Sequence, residues 1–180
     1  MPEAESILLL GLGNLLLADD GAGVAALHRL RREVRLPERV LALDGGTLGL
    51  ALLPHVERAQ HLILLDAVAA PAPAGTVVRL EGEQVPPAVA TRLSPHQLGV
   101  SELLLGARSL GCYPSSVVLL GIVPRRIGLG VERSPDVRAG LPRLILAALE
   151  ELRSLGVEPG AMSAPEGEAQ ESHVGRIFGI

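Results

Sequence analysis

Three short, almost unbroken apolar runs, at residues 6–12, 61–65 and 115–123, constrain the fold of this chain more than any other feature. They are closed by Gly13, Asp66 and Pro124. Each has the length of a strand and lacks the alternation of a strand with one wet face, so each is expected to be a strand buried on both sides. Residues 39–43 read as a further strand, running into Asp44-Gly45-Gly46-Thr47. Residues 76–80 read as one near an edge, after the turn-forming Pro71-Ala72-Pro73-Ala74-Gly75. Between the strands lie helical patterns. Val24, Leu27, Leu30 and Val34 recur near helical spacing over 19–34, and 47–58 and 95–110 are also expected to be helices. Leu141, Leu144, Ile145, Ala148, Leu149 and Leu152 trace the clearest apolar stripe, with Pro142 expected in a first turn or at a kink. Strands alternating with helices specify an α/β fold: a three-layer, twisted, mostly parallel β-sheet with helices on both faces.

Residues 1–157 are expected to form a single domain. From 158 the composition turns to Pro, Gly, Ser, Ala and Glu, so 158–180 reads as a flexible C-terminal tail, apolar again over 174–180. The chain has 180 residues, 48% of them hydrophobic, yet no Trp and a single Tyr and Phe, so the core must be aliphatic. A net charge of −4 and scattered Arg residues argue against nucleic-acid binding. No apolar run approaches the roughly 18 residues of a membrane span, and Glu3 and Glu5 stand where a signal peptide carries positive charge. The lone Cys112 excludes an internal disulfide or a multi-cysteine metal site. A cytoplasmic protein is expected.

In open α/β sheets, ligands bind beyond the carboxyl ends of the strands, where the strand order switches. The acids of this chain collect there: Asp19 and Asp20 after the first strand, Asp44 at the end of the second, Asp66 at the end of the third. An Asp before a helix is as often an N-cap as a ligand, so one of Asp19 and Asp20 is expected to cap. Asp44 before two glycines reads equally as an Asx turn. Asp66, in Leu62-Ile63-Leu64-Leu65-Asp66-Ala67-Val68, is a carboxylate that burial would penalise without a role or a dedicated hydrogen-bond network. Ser94-Pro95-His96-Gln97 has the form of a capping box opening a helix, with His96 in the first turn. The positive helix end favours a neutral imidazole there, the metal-binding form, though a plain exposed His fits the spacing as well. His28, His55 and His61 read as surface or packing residues, and His173 lies in the tail. Two carboxylates and an imidazole suit a borderline divalent ion such as zinc or nickel.

Gly11-Leu12-Gly13 begins like a dinucleotide-binding turn, but Leu16 stands where the third glycine belongs, and the carboxylates that follow would repel a phosphate. No phosphate-binding Gly-Lys-Ser/Thr loop and no nucleophile-elbow serine occurs.

From residue 7 to 157 the chain resembles the nickel–iron hydrogenase maturation endopeptidases. The likeness rests on an ordered set: Gly11-x-Gly13-Asn14, Asp19-Asp20-x-x-Gly23-Val24, Asp44-Gly45-Gly46-Thr47, Leu65-Asp66-Ala67, Ser94-Pro95-His96-Gln97-Leu98-Gly99 and Gly121-Ile122-Val123-Pro124. The resemblance implies a protease that removes a C-terminal extension from a hydrogenase large-subunit precursor after nickel insertion. It also implies Asp20, Asp66 and His96 as metal-contacting and catalytic residues, with the divalent metal, nickel, presented by the substrate. The first of these positions is often Glu in the family and is Asp20 here. Asp20 then becomes the ligand and Asp19 the cap, while Asp19 and Asp44 remain candidates for orienting ligands or capping backbone. A non-catalytic nickel-binding assembly factor and a nucleotide-binding α/β enzyme are the alternatives.

Overall fold

Strand pleating sorts the aliphatic side chains into two separate cores, and that sorting accounts for the unbroken apolar runs. In the computed structural model, which describes residues 7–90 and 95–161, the chain runs β1 (Ile7–Leu12), α1 (Ala22–Glu33), β2 (Val34–Arg35), β3 (Val40–Gly46), α2 (Leu53–Val56), β4 (His61–Ala67), β5 (Val77–Glu81), α3 (Val85–Ala90), α4 (Pro95–Ser109), β6 (Ser116–Ile122), α5 (Pro135–Ser154) and β7 (Gly160–Ala161). Short 3-10 turns occupy Asp19–Gly21, Gly49–Leu52 and Gly82–Gln84. Five strands form one sheet in the order β3-β1-β4-β6-β5. All neighbours in it are parallel except β5, which runs antiparallel to β6 at an edge. β2 and β7 make a small antiparallel pair of their own.

Ile7, Leu9, Ile63, Leu65, Val118 and Leu120 point to one face and pack under α1 and α5. Leu8, Leu10, Leu62, Leu64, Val117 and Leu119 point to the other, under α3 and α4. The expected three-layer α/β fold is therefore present, with both faces of the sheet dry.

Several boundaries differ from the sequence expectation. The helix expected over 19–34 opens as a 3-10 turn and becomes α-helical at Ala22. The stretch 47–58 yields a 3-10 turn and one short helix, because Pro54 and two left-handed-capable glycines, Gly46 and Gly49, break the pattern around it. The last helix starts well before its apolar stripe. Ser134 caps it, Pro135 occupies the first position, and Pro142 lies in its interior rather than its first turn. Ser94 and the tail from 162 onward lie outside the described residues; 158–161 reach β7, which pairs with Val34 and Arg35. Among the described residues no helix is long and apolar enough to cross a membrane.

Candidate active site

The order β3-β1-β4 places the switch point between β1 and β4: the chain leaves β1 for β3 on one side and returns from β3 to β4 on the other. Glycines let α1 start directly against that crevice. A Cβ on Gly23 would overlap the carbonyl oxygen of Leu65, and one on Gly11 would lie 2.7 Å from Leu27 Cβ. The start of α1 thus rests on the last residues of β4, one position before Asp66.

Asp20 reaches the crevice from the turn after β1. The turn depends on Gly13, whose φ of 118° suits glycine and whose Cβ would collide with the carbonyl oxygen of Asp20. Gly13 N donates to Gly46 O at 3.0 Å, and Asn14 N donates to Asp20 Oδ2 at 2.9 Å. The space a pyrophosphate would need beside this turn is filled by the chain's own backbone and by a carboxylate. That packing removes the dinucleotide reading of Gly11-Leu12-Gly13.

Asp66, the penultimate residue of β4, lies on the α4 face, two residues beyond Leu64 in the pleat, and Ala67 N donates to its Oδ1 at 2.7 Å. Asp20 and Asp66 are both fully buried. Burial of carboxylates at this depth is costly, and backbone N–H donors offset part of that cost. α4 is fastened to the same strand end. Buried Gln97 donates from Nε2 to Ala67 O at 2.9 Å, which sets the first turn of the helix, with His96, beside the residue that follows Asp66. The side chain of His96 is outside the described residues. On the opposite side α4 is held close by a glycine pair: a Cβ on Gly99 would stand 3.0 Å from Gly49 Cα. Among the described side chains no three His, Cys, Asp or Glu residues come together.

Asp19 behaves unlike its neighbour. It does not cap the helix that follows: the N-cap position is Ala18, and no side chain caps that turn. Fully buried, its Oδ2 accepts from Arg125 N, Arg126 N and Ser134 Oγ at 2.9, 2.9 and 2.8 Å, while Oδ1 accepts from Ser134 N at 2.6 Å. Burial pushes the carboxyl up, but the Ser134, Arg126 and Arg125 hydrogen bonds together outweigh it and hold Asp19 below the ordinary aspartate value. The helix cap expected of the pair is therefore absent, and Asp19 instead holds the backbone of the loop between β6 and α5. Ala18, at φ 52°, is the one described non-glycine residue with a left-handed backbone, and its N donates to Gly130 O in the same loop.

Asp44 also departs from expectation. β3 continues through it to Gly46, and among the described hydrogen bonds it makes no Asx turn. It follows Ala42 by two residues and so lies on the α1 face, where Oδ2 meets His28 Nε2 at 2.7 Å, both side chains partly exposed. Pleat parity thus separates Asp44 from Asp66, with β1 between their strands. Of the residues whose roles were not anticipated, Asn14 and the Gly49–Gly99 pair act through backbone or close approach, and Ser134 through its backbone N–H and hydroxyl; only Ser134-Pro135, a cap followed by Pro, left a readable signal.

Residues 24–151 match the family model described as hydrogenase maturation protease. The chain belongs to the hydrogenase maturation protease family. It is 37% identical over 153 residues to the hydrogenase 2 maturation protease of Escherichia coli K12, covering 84% of this chain and 93% of that protein. It is 40% identical to the hydrogenase expression/formation protein HupD of Thiocapsa roseopersicina, covering 84% and 69%. The structure of the hydrogenase maturating endopeptidase HybD from E. coli aligns with a TM-score of 0.83 at 36% identity, over 87% of this chain and 97% of that one. The HybD protease from Thermococcus kodakarensis aligns with a TM-score of 0.68 at 28% identity, over 81% and 98%. As a member of this family, the protein is a peptide hydrolase of hydrogenase maturation.

Proposed function

We propose that this protease cleaves the C-terminal extension from a nickel-loaded nickel–iron hydrogenase large-subunit precursor, and that Asp20, Asp66 and His96 read the nickel carried by the substrate. The observation that supports this most is the convergence of two fully buried carboxylates on the β1–β4 switch point, with the first turn of α4 fastened by Gln97 to the residue after Asp66. Carboxylate oxygen and imidazole nitrogen form a donor set that suits a borderline divalent ion. A divalent ion held there would polarise the scissile carbonyl or activate a water.

The chain's own residues do the positioning. Asn14 N and Ala67 N each orient one carboxylate, so the two acids meet an incoming cation without a search over rotamers. Recognition then depends on metal insertion having succeeded, because only a precursor that carries its ion brings a cation for the two carboxylates to contact. The experiment is processing of nickel-loaded and nickel-free precursor, read by the mass of the large subunit. Cleavage of the loaded form alone is expected, and equal processing of both overturns the reading. His96→Ala is expected to abolish processing with the melting temperature unchanged, and undiminished cleavage would remove His96 from the site. A protein that binds nickel-loaded precursor but never changes its mass would be the assembly factor instead.

A further inference from the structure

The free edge of the sheet carries an unexplained feature. β3 ends the strand order and pairs in the sheet with β1 alone. Ile7 N donates to Arg39 O, and the parallel register Ile7↔Val40 then turns the N–H and C=O of residues 41 and 43 toward β1. Those of Ala42 and Asp44 point outward. Edge strands are normally blunted with Lys, Pro or a short length, and Val40-Leu41-Ala42-Leu43 has none of these. Along this edge lie two adjoining clefts of about 420 and 360 Å³ that share Arg31. His28, Arg31 and Arg32 line the first, and Arg31 and Arg35 line the second together with Val40 and Ala42. Among the described residues Arg31, Arg32 and Arg35 make no ion pair. The dipole of α1 favours Arg31 and Arg32 in its last turn, but it does not account for a bare strand beside them. The upper end of the edge is Asp44-Gly45-Gly46, and Gly46 O binds Gly13 N in the turn that carries Asp20.

We propose that the β3 edge is a substrate-docking strand: an extended, acidic segment of the protein substrate adds to β3 by main-chain hydrogen bonds to Ala42 and Asp44. Arg31, Arg32 and Arg35 neutralise its carboxylates. An added strand takes affinity from backbone pairing and selectivity from the flanking side chains, and a protease needs its substrate extended as it enters the crevice. The segment that follows in the substrate is thereby delivered past Gly46 to Asp20. This rests on the substrate reading above, and the two fail separately.

The test is processing kinetics on nickel-loaded full-length precursor, with pulsed amide exchange at saturating precursor. Arg31→Glu/Arg32→Glu/Arg35→Glu is expected to raise KM about tenfold with kcat within twofold, and to abolish the rise in KM that salt causes in the parent protein. Ala42→Pro, which deletes one outward N–H at a position where an edge strand tolerates proline, is expected to raise KM likewise at an unchanged melting temperature. In the parent protein the Ala42 and Asp44 amides gain protection only with precursor present. Normal cleavage by both variants, with no protection of these amides, overturns the docking strand and leaves the proposed function standing. Absence of cleavage by the parent overturns the proposed function instead. Protection without precursor that grows with protein concentration assigns the edge to a second copy. Protection without precursor that is lost in Glu166→Lys/Glu168→Lys/Glu171→Lys assigns it to the chain's own acidic segment. Either of the last two results also overturns the proposal.

Discussion

Asp19 and Asp20 are neighbours with opposite employments. Asp19 spends both oxygens on the backbone and hydroxyl of the loop between β6 and α5, while Asp20 lies at the crevice. Removing the Asp19 carboxylate strands buried N–H donors at Ser134, Arg125 and Arg126. Asp19→Ala should therefore cost about 3 kcal/mol by urea denaturation, since bonds to a charged acceptor contribute about 1.5–3 kcal/mol each and are not additive. The sign of its pH dependence follows from the lowered carboxyl. The stabilisation is present above the ordinary aspartate value near 3.9 and is lost as pH falls through the lower folded-state value. An acid titration of stability should flatten in Asp19→Asn over that range, and an unchanged profile would remove Asp19 as a source of acid lability. Gly13 is the other sensitive position. Gly13→Ala forces a left-handed φ on a side chain that collides with Asp20 O, and a drop in stability of about 2–3 kcal/mol, with loss of processing, is expected.

At the scale of elements, the site is built by how closely helices approach strands. α1 sits on Leu65 O through Gly23, and α4 sits on the 3-10 turn after β3 through Gly49 and Gly99. Enlarging Gly99 pushes α4 away from that turn. Gly99→Val should cost about 1–3 kcal/mol as overpacking and, because α4 carries His96, reduce processing by more than the stability loss accounts for. Full kcat at reduced stability would show that the helix position is not critical. These approaches also divide what the sequence revealed from what it hid. The strands were legible because dry strands leave unbroken apolar runs, and Asp66 was legible because a carboxylate ending such a run demands an explanation. The partner of Asp19 was not, since Ser134 lies 115 residues away, and a backbone N–H and a serine hydroxyl at that separation carry no spacing signal that ties them to Asp19. Asp44 was placed at the correct strand end but on the wrong face for the crevice. Predicting β3 to stop at Leu43 hid the two-residue parity with Ala42 that sends it to His28.

For the whole molecule, the doubly covered sheet makes a distinctive claim about mutational tolerance. In a sheet with one wet face, adjacent positions alternate between costly and neutral. Here Leu64 and Leu65, packed in different cores, are both buried. Leu64→Ala and Leu65→Ala should each cost about 2–5 kcal/mol by chemical denaturation, and a large difference between them would mean one layer is loosely packed.

The Asp19 clamp has a further consequence for chemistry. With both the carboxylate and the backbone N–H of Asp19 bound to the loop between β6 and α5, the main chain leading into Asp20 is held on that side and has little slack with which to follow a ligand. The distance from main chain to carboxylate oxygen is then the sole adjustable dimension on that side of the crevice, and it comes in steps of one methylene. Asp and Glu at position 20 are two settings of the same caliper, and under the proposed function the ion that fits the opening is decided by that setting rather than by any yielding of the fold.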